Sequence, residues 1–186
     1  DILSASWLDD KISWFETIMD EGTVQSPWSS YTIIYDSRKT RESVAKDPQS
    51  VYAADLDMDG DKDIVSVSNG DDKLNWYRND NNQYTTINIA SGVSDGPYKV
   101  YANDLDSDGD LDILMSSEDG KVHFFKNNIS VTSGGANGFS TNLIHETNKA
   151  IEDFYPIDLD RDGDIDIVIE EWGNGTVKWL DNNGSE

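Results

Sequence analysis

One nine-residue acidic pattern constrains this chain more than anything else, because it occurs three times in the same setting. It reads Asp-x-Asp-x-Asp-Gly-Asp-x-Asp and starts at Asp55, Asp104 and Asp158. Each copy is preceded by an apolar-aromatic stretch (from Val51, Val100 and Phe154) and followed by Ile-Val or Ile-Leu (ending at Val65, Leu114 and Val168). Self-similarity at a period of roughly fifty residues is the mark of a repeat architecture, in which each unit buries its apolar face only against its neighbours.

Two further elements recur in order. Lys73-Leu-Asn-Trp76-Tyr-Arg matches Lys121-Val-His-Phe124-Phe-Lys and Thr176-Val-Lys-Trp179-Leu-Asp. Tyr84-Thr-Thr-Ile-Asn-Ile89 matches Phe139-Ser-Thr-Asn-Leu-Ile144. The start of the chain falls into the same frame: Asp1-Ile-Leu-Ser-Ala-Ser6 matches Asp63-Ile-Val-Ser-Val-Ser68, Trp14 takes the place of Trp76, and Tyr31-Thr-Ile-Ile34 supplies the last element. Period-two alternation, β-branched and aromatic residues, and Asn/Asp/Gly punctuation identify all of these as strands. The expected fold is all-β: a propeller-type array of about three and a half four-stranded antiparallel blades, incomplete as a closed ring. The array 1–186 divides into a truncated blade at 1–46 lacking its Asp loop, blades at 47–98 and 99–150, and a blade at 151–186 lacking its last strand. Fourteen strands are expected, with Asp36 to Ser50 as a polar connection. Asp1 aligns with the last Asp of a fourth loop, so the chain is expected to be a piece of a larger ring or assembly.

The acidic loops specify a hard cation. Ca²⁺ takes six to eight oxygens, and Asp at positions 1, 3 and 5 of a tight loop can turn carboxylates inward, while Gly at position 6 permits the sharp return. Position 7 offers its carbonyl and the Asp at position 9 closes the shell. The ligands are therefore expected to be Asp55, Asp57, Asp59, Asp61 and Asp63; Asp104, Asp106, Asp108, Asp110 and Asp112; and Asp158, Asp160, Asp162, Asp164 and Asp166. Five carboxylates within nine residues repel one another unless neutralised, and about three Ca²⁺ per chain would move the net charge from −23 to −17. An EF-hand needs Glu at position 12 between helices; here that position is Ser66, Met115 or Ile169, and the flanks read as strands. Each ion is expected to act as a structural rivet of its blade.

The run Val-Tyr-Ala-x-Asp-Leu-Asp-x-Asp-Gly-Asp-x-Asp-Ile-Val, followed by Lys-x-x-Trp-Tyr, resembles the FG-GAP/VCBS repeats of integrin-α-like β-propellers. The resemblance implies Ca²⁺ between the first and second strands of a blade. It also implies a secreted or cell-surface setting, with roles in adhesion, carbohydrate contact or scaffolding.

The rest of the sequence narrows the function by exclusion. A net charge of −23 repels nucleic acid and anionic lipid. No apolar run approaches the ~18 residues of a membrane span, and the chain has no cysteine. Its two histidines, His123 and His145, stand in no arrangement with a nucleophile, and no catalytic residue is assigned. Trp14, Trp76, Phe124 and Trp179 recur too regularly for a ligand site and are expected to pack between blades. Trp7 and Trp172 fall in turns after the second strand, where a carbohydrate could be met. Asn128, Asn174 and Asn183 fit the N-glycosylation acceptor pattern. The functional expectation is a non-catalytic extracellular calcium-binding module for adhesion, scaffolding or assembly, with self-association or the remainder of a longer chain covering its open ends. The alternatives are a lectin-like carbohydrate binder and an accessory piece of a secreted enzyme.

Overall fold

A computed structural model describes residues 2–6, 8, 10–16, 19–20, 23–24, 29–34, 45–129, 138–173 and 175–184, with backbone alone over 19–20, 23–24 and 29–34. The strands are β1 (Ile2–Ser6), β2 (Lys11–Glu16), β3 (Met19–Asp20), β4 (Thr23–Val24), β5 (Ser29–Ile34), β6 (Pro48–Ala54), β7 (Asp63–Ser68), β8 (Lys73–Asp80) and β9 (Gln83–Ser91). They continue as β10 (Pro97–Asn103), β11 (Asp112–Ser117), β12 (Lys121–Asn127), β13 (Phe139–Glu146), β14 (Ile151–Ile157), β15 (Asp166–Glu171) and β16 (Thr176–Leu180). Antiparallel strands pair in chain order into separate sheets, β1-β2-β5, β6-β7-β8-β9, β10-β11-β12-β13 and β14-β15-β16, and none of them closes on itself. This is the array of incomplete propeller-type blades that the repeat predicts. Two details differ from the sequence expectation. The two-residue strands β3 and β4 form an extra hairpin between β2 and β5, too short to leave a periodic pattern. Pro48–Ser50, expected to end the polar connection, belong to β6; residues 36–44 of that connection lie outside the described residues.

The repeat extends to backbone irregularities. The first strand of each full Asp-loop sheet carries a register shift at the same place, between Pro48 and Ser50, Pro97 and Lys99, and Ile151 and Asp153. Such bulges bend a strand and increase its twist, so the sheets repeat in curvature as well as in sequence.

Burial explains the strand sequences. β7 and β11 are buried along their whole length, because each lies mid-sheet with a neighbouring sheet on either face. Their apolar residues therefore run almost without polar interruption, broken only by serines small enough to fit. β9 and β13 are the outer strands and are largely exposed. Three apolar clusters lie between consecutive sheets. Leu3 and Ile12 meet Ile64 and Tyr77. Leu56, Val65, Leu74 and Trp76 meet Val100, Ile113, Met115 and Phe125. Leu114 and Val122 meet Ile151, Phe154, Ile167 and Ile169. The first strands also touch: Tyr52 lies 5.5 Å from Tyr101, and Tyr101 lies 6.0 Å from Tyr155, centroid to centroid. The second and third sheets thus each have one face that packs forward on the next sheet and one that receives the sheet before.

Candidate metal centres

Each Asp loop joins the first two strands of its sheet, β6 to β7, β10 to β11 and β14 to β15. Two left-handed residues shape each loop. Position 4 (Met58, Ser107 and Arg161) has φ between 57° and 67°, and the position-6 glycine (Gly60, Gly109 and Gly163) has φ of 98°, 98° and 104°. The second value is one that side chains with a Cβ rarely adopt, which is why Gly recurs there. Inside the loop, carboxylates hold the backbone. Gly60 N–H donates to Asp55 Oδ2 at 3.1 Å and Gly109 N–H to Asp104 Oδ2 at 3.1 Å. The position-7 N–H donates to the position-5 carboxylate in all three loops: Asp61 to Asp59, Asp110 to Asp108, and Asp164 to Asp162.

The result is three carboxylate groups, each with ligand oxygens within 4.8 Å of one another: Asp55, Asp57 and Asp59; Asp104, Asp106 and Asp108; and Asp158, Asp160 and Asp166. These triads can hold a metal ion. The fit is supported by polar atoms left over after hydrogen bonding, since Asp55 Oδ1, Asp57 Oδ1 and Asp158 Oδ1 are sequestered from water without a donor. A sequestered carboxylate oxygen needs a partner, and an all-oxygen donor set suits a hard cation. Burial and the neighbouring Asp59 carboxylate push the Asp57 carboxyl up, which a bound cation would reverse.

The position-9 carboxylates also hold the backbone. Asp63, Asp112 and Asp166, at position 9, are shut from solvent. Each braces two backbone segments. Oδ2 accepts from the position-2 N–H of Leu56, Leu105 or Leu159, at 3.0–3.1 Å. Oδ1 accepts from the N–H of Asn79, Asn127 or Asn182, at 2.8–2.9 Å. Only Asp166 also enters a triad. Burial pushes the Asp63 carboxyl up to about 6 and Asp112 to about 7. The Trp76 indole N–H, sequestered without a well-formed hydrogen bond, adds a partial offset at Asp63. Asp166 is equally shielded from contact with water, but it sits in the last sheet, where less protein surrounds it. There the backbone donors, Asn182 foremost, prevail and hold its carboxyl below the ordinary range. Asp61 accepts from Asn81 N–H, and the side chains of Asp61, Asp110, Asp162 and Asp164 stand outside the triads.

Sequence reasoning passed over two contributors. Asn79, Asn127 and Asn182 recur at the end of the Trp-bearing strand, and their side-chain amides are clasps. Asn127 Nδ2 donates to Leu111 O of its own loop at 3.0 Å and to Leu56 O of the preceding loop at 2.8 Å. Asn182 Nδ2 repeats this with Ile165 O and Leu105 O, both at 3.2 Å. Asn79 donates to Lys62 O. One amide thus ties two consecutive Asp loops together. The second contributor is Lys126, whose ammonium pairs with Asp106 and lies 3.5 Å from Asp108, both in the second triad. Arg78, one repeat earlier, pairs with Asp80 instead, and the matching residue of the third repeat is Asp181.

The other candidates fall as follows. Trp76 is buried and Phe124 packs against the next sheet; Trp179, expected between blades, is exposed. Trp172 is exposed in the turn after β15, and Trp7 lies outside the described residues. Asn128 Nδ2 donates to Lys126 O and Ser140 Oγ, Asn183 is exposed, and Asn174 lies outside the described residues. His123 does meet a hydroxyl that the sequence did not single out: its Nδ1 is 3.2 Å from Ser94 Oγ. Both residues are buried, and Asp119 pairs with Lys121 and Ser117 rather than with the imidazole. The contact is a buried polar link between β12 and the connection from β9 to β10.

Strand-flanked, cation-ready loops recurring on stacked antiparallel sheets define a propeller-type repeat protein. The family model for the FG-GAP-like repeat matches residues 55–115 and 104–169, more than half of the chain, and the chain belongs to that family. No curated protein matches it.

Proposed function

We propose that the chain is a calcium-stabilised, non-catalytic module that works outside the cell in adhesion or scaffolding. The observation that carries the reading is the set of three carboxylate triads with sequestered, donorless oxygens at Asp55, Asp57 and Asp158. Calcium is favoured over Mg²⁺ because a flexible, carboxylate-rich loop meets a high coordination number more easily than a strict octahedron. The extracellular setting follows from supply: loops of this kind fill where free calcium is plentiful, at Kd of roughly 10⁻⁴–10⁻³ M. The test is calorimetric titration of metal-stripped protein together with thermal melts. About three Ca²⁺ should bind, and excess chelator should lower the melting temperature by at least about 10 °C, since binding to the folded state alone stabilises it. A melt indifferent to both calcium and chelator would sink the reading, and nanomolar affinity would remove the argument for an extracellular setting.

Trp172, exposed on a turn, favours a second reading in which the module also stacks on carbohydrate. Glycan-array binding that survives Trp172→Ala unchanged would dispose of it.

A further inference from the structure

The residue before the recurring aromatic of the third strand differs in kind from sheet to sheet: Asn75, His123 and Lys178. Asn75 Oδ1 accepts from Asn88 Nδ2 at 3.0 Å, and Lys178 pairs with Glu171. Of these three side-chain types, imidazole alone has an ordinary pKa within the range of about pH 5–8. His123 is 6% exposed, its ring lies 6.2 Å from that of Phe125, and it meets the connection from β9 to β10 at Ser94.

From the imidazole a row of hydroxyls leads to a carboxylate. His123 Nδ1 is 3.2 Å from Ser94 Oγ, Ser94 Oγ is 3.1 Å from Ser117 Oγ, and the Ser117 hydroxyl donates to Asp119 Oδ1 at 2.5 Å. Ser94 and Ser117 are buried. Asp119 is already engaged, since Lys121 pairs with it and Asp95 N–H donates to it. The charges that act on the imidazole are this carboxylate and this ammonium, and they act with opposite signs. Asp95, in the connection, and Glu146, on β13, bear on Lys121. The paired strands β11 and β13 set Met115 and Leu143 opposite His123. With the two charges opposed, burial decides, and it holds the imidazole below its ordinary value of 6.5.

We propose that His123 and Ser94 form an acid-released latch that holds the β9–β10 connection down on the third sheet. This connection carries the chain from the second sheet to the third. Its tip is tied by three further contacts: Asp95 N–H to Asp119, Gly96 N–H to Asp72 Oδ1 at 3.0 Å, and Glu118 N–H to Gly96 O at 2.9 Å. A neutral imidazole fits beneath Ser94. An imidazolium there needs water, which reaches it when the connection lifts. Because burial lowers the pKa of the closed form, that form binds fewer protons than the open one. The latch is therefore fully effective above about pH 6.5, weakens as the pH falls through that value, and levels off below the pKa of the closed form.

Native-state hydrogen exchange with calcium in excess, at about pH 7.5 and about pH 5 and corrected for intrinsic amide rates, tests this. Opening of the connection, read at the Asp95, Gly96 and Glu118 amides, should rise on the order of tenfold in acid, since each pH unit below the pKa of the open form favours it by up to about tenfold. His123→Asn gives the third sheet the residue that the second carries at Asn75, so the variant should fold, and its opening should not respond to acid. The chain has only two histidines, so an NMR titration of the wild type separates their rings, and His123 should titrate below the ordinary histidine value. Wild-type protection that is unchanged at about pH 5 overturns the inference. So does an equal acid response in His123→Asn, which would assign the response to His145 or to the loop carboxylates. So does a His123 ring that titrates at or above the ordinary value, which would mean that the closed connection accommodates the imidazolium.

Discussion

At the residue scale the three loops share a backbone but differ in the side chain that faces them. The position after the Trp-Tyr, Phe-Phe or Trp-Leu pair is Arg78, Lys126 or Asp181. Lys126 places its ammonium on the second triad, and the Asp110 N–H, with Lys126 as a smaller contributor, holds the Asp108 carboxyl below its ordinary range. That cation must be displaced, or at least tolerated, when a metal enters. Arg78 is engaged with Asp80 and reaches the first triad only as a more distant charge on Asp57. Asp181 adds negative charge beside Asp160. The loops should therefore fill in the order third, first, second. Replacing Lys126 by Gln removes one unit charge from the edge of a partly screened site, which should raise the affinity of the second loop on the order of tenfold. Calorimetric titration, with terbium luminescence as a second readout, checks this. An unchanged second-loop affinity in Lys126→Gln would show that the ammonium swings clear of the triad at no cost.

At the element scale the question is what keeps consecutive sheets in register. Apolar contact alone is non-directional, whereas the asparagine clasps are not. Asn127 Nδ2 holds Leu56 O and Leu111 O, and Asn127 N–H holds Asp112. Truncating it leaves carbonyls of two loops without their donor, which should cost about 1–3 kcal/mol. Asn79 holds Lys62 O of its own loop, so Asn79→Ala should cost visibly less than Asn127→Ala. Urea unfolding of the two calcium-loaded variants makes the comparison, and equal losses would mean that the inter-sheet bond contributes nothing. These clasps also mark what the sequence could show. Strand order, antiparallel pairing and loop position were legible, because period-two alternation and the repeated Asp pattern each point to one backbone arrangement. The division of labour inside the loop was not. Asp63 and Asp112 sit at the spacing of ligands, and from their buried positions they also brace backbone N–H groups, a task that spacing does not reveal. Asn79, Asn127 and Asn182 were visible as a recurring residue. Asn127 and Asn182 also reach a carbonyl one repeat away, which only the stacking of sheets brings within reach. Trp179 shows the opposite failure: its recurrence is real, but an aromatic residue is buried only where a following sheet covers it.

At the scale of the whole molecule the array is quasi-one-dimensional, so its stability is approximately a sum of sheet terms and nearest-neighbour interface terms. The third sheet shares both of its faces, one with the cluster around Trp76 and one with the cluster around Ile151. The fourth shares one. Calcium loops that are identical in design should therefore differ in what their loss does. Asp104→Ala with Asp106→Ala empties the second loop and slackens the hairpin of β10 and β11 (the segment that carries Val100, Ala102, Ile113 and Met115 into one core and Leu114 into the other). Unfolding should then propagate both ways, with the main thermal transition falling by about 5 °C or more. Asp158→Ala with Asp160→Ala slackens only β14 and β15, whose apolar residues serve a single interface. That change should leave the main transition nearly in place and add an early, low-amplitude one. Native-state hydrogen exchange locates the difference. In the first variant protection should fall across β6–β16, and in the second across β14–β16 alone. Equal, global losses in both variants would mean that the four sheets unfold as one cooperative unit, with interface terms so large that the position of a loop along the array no longer matters.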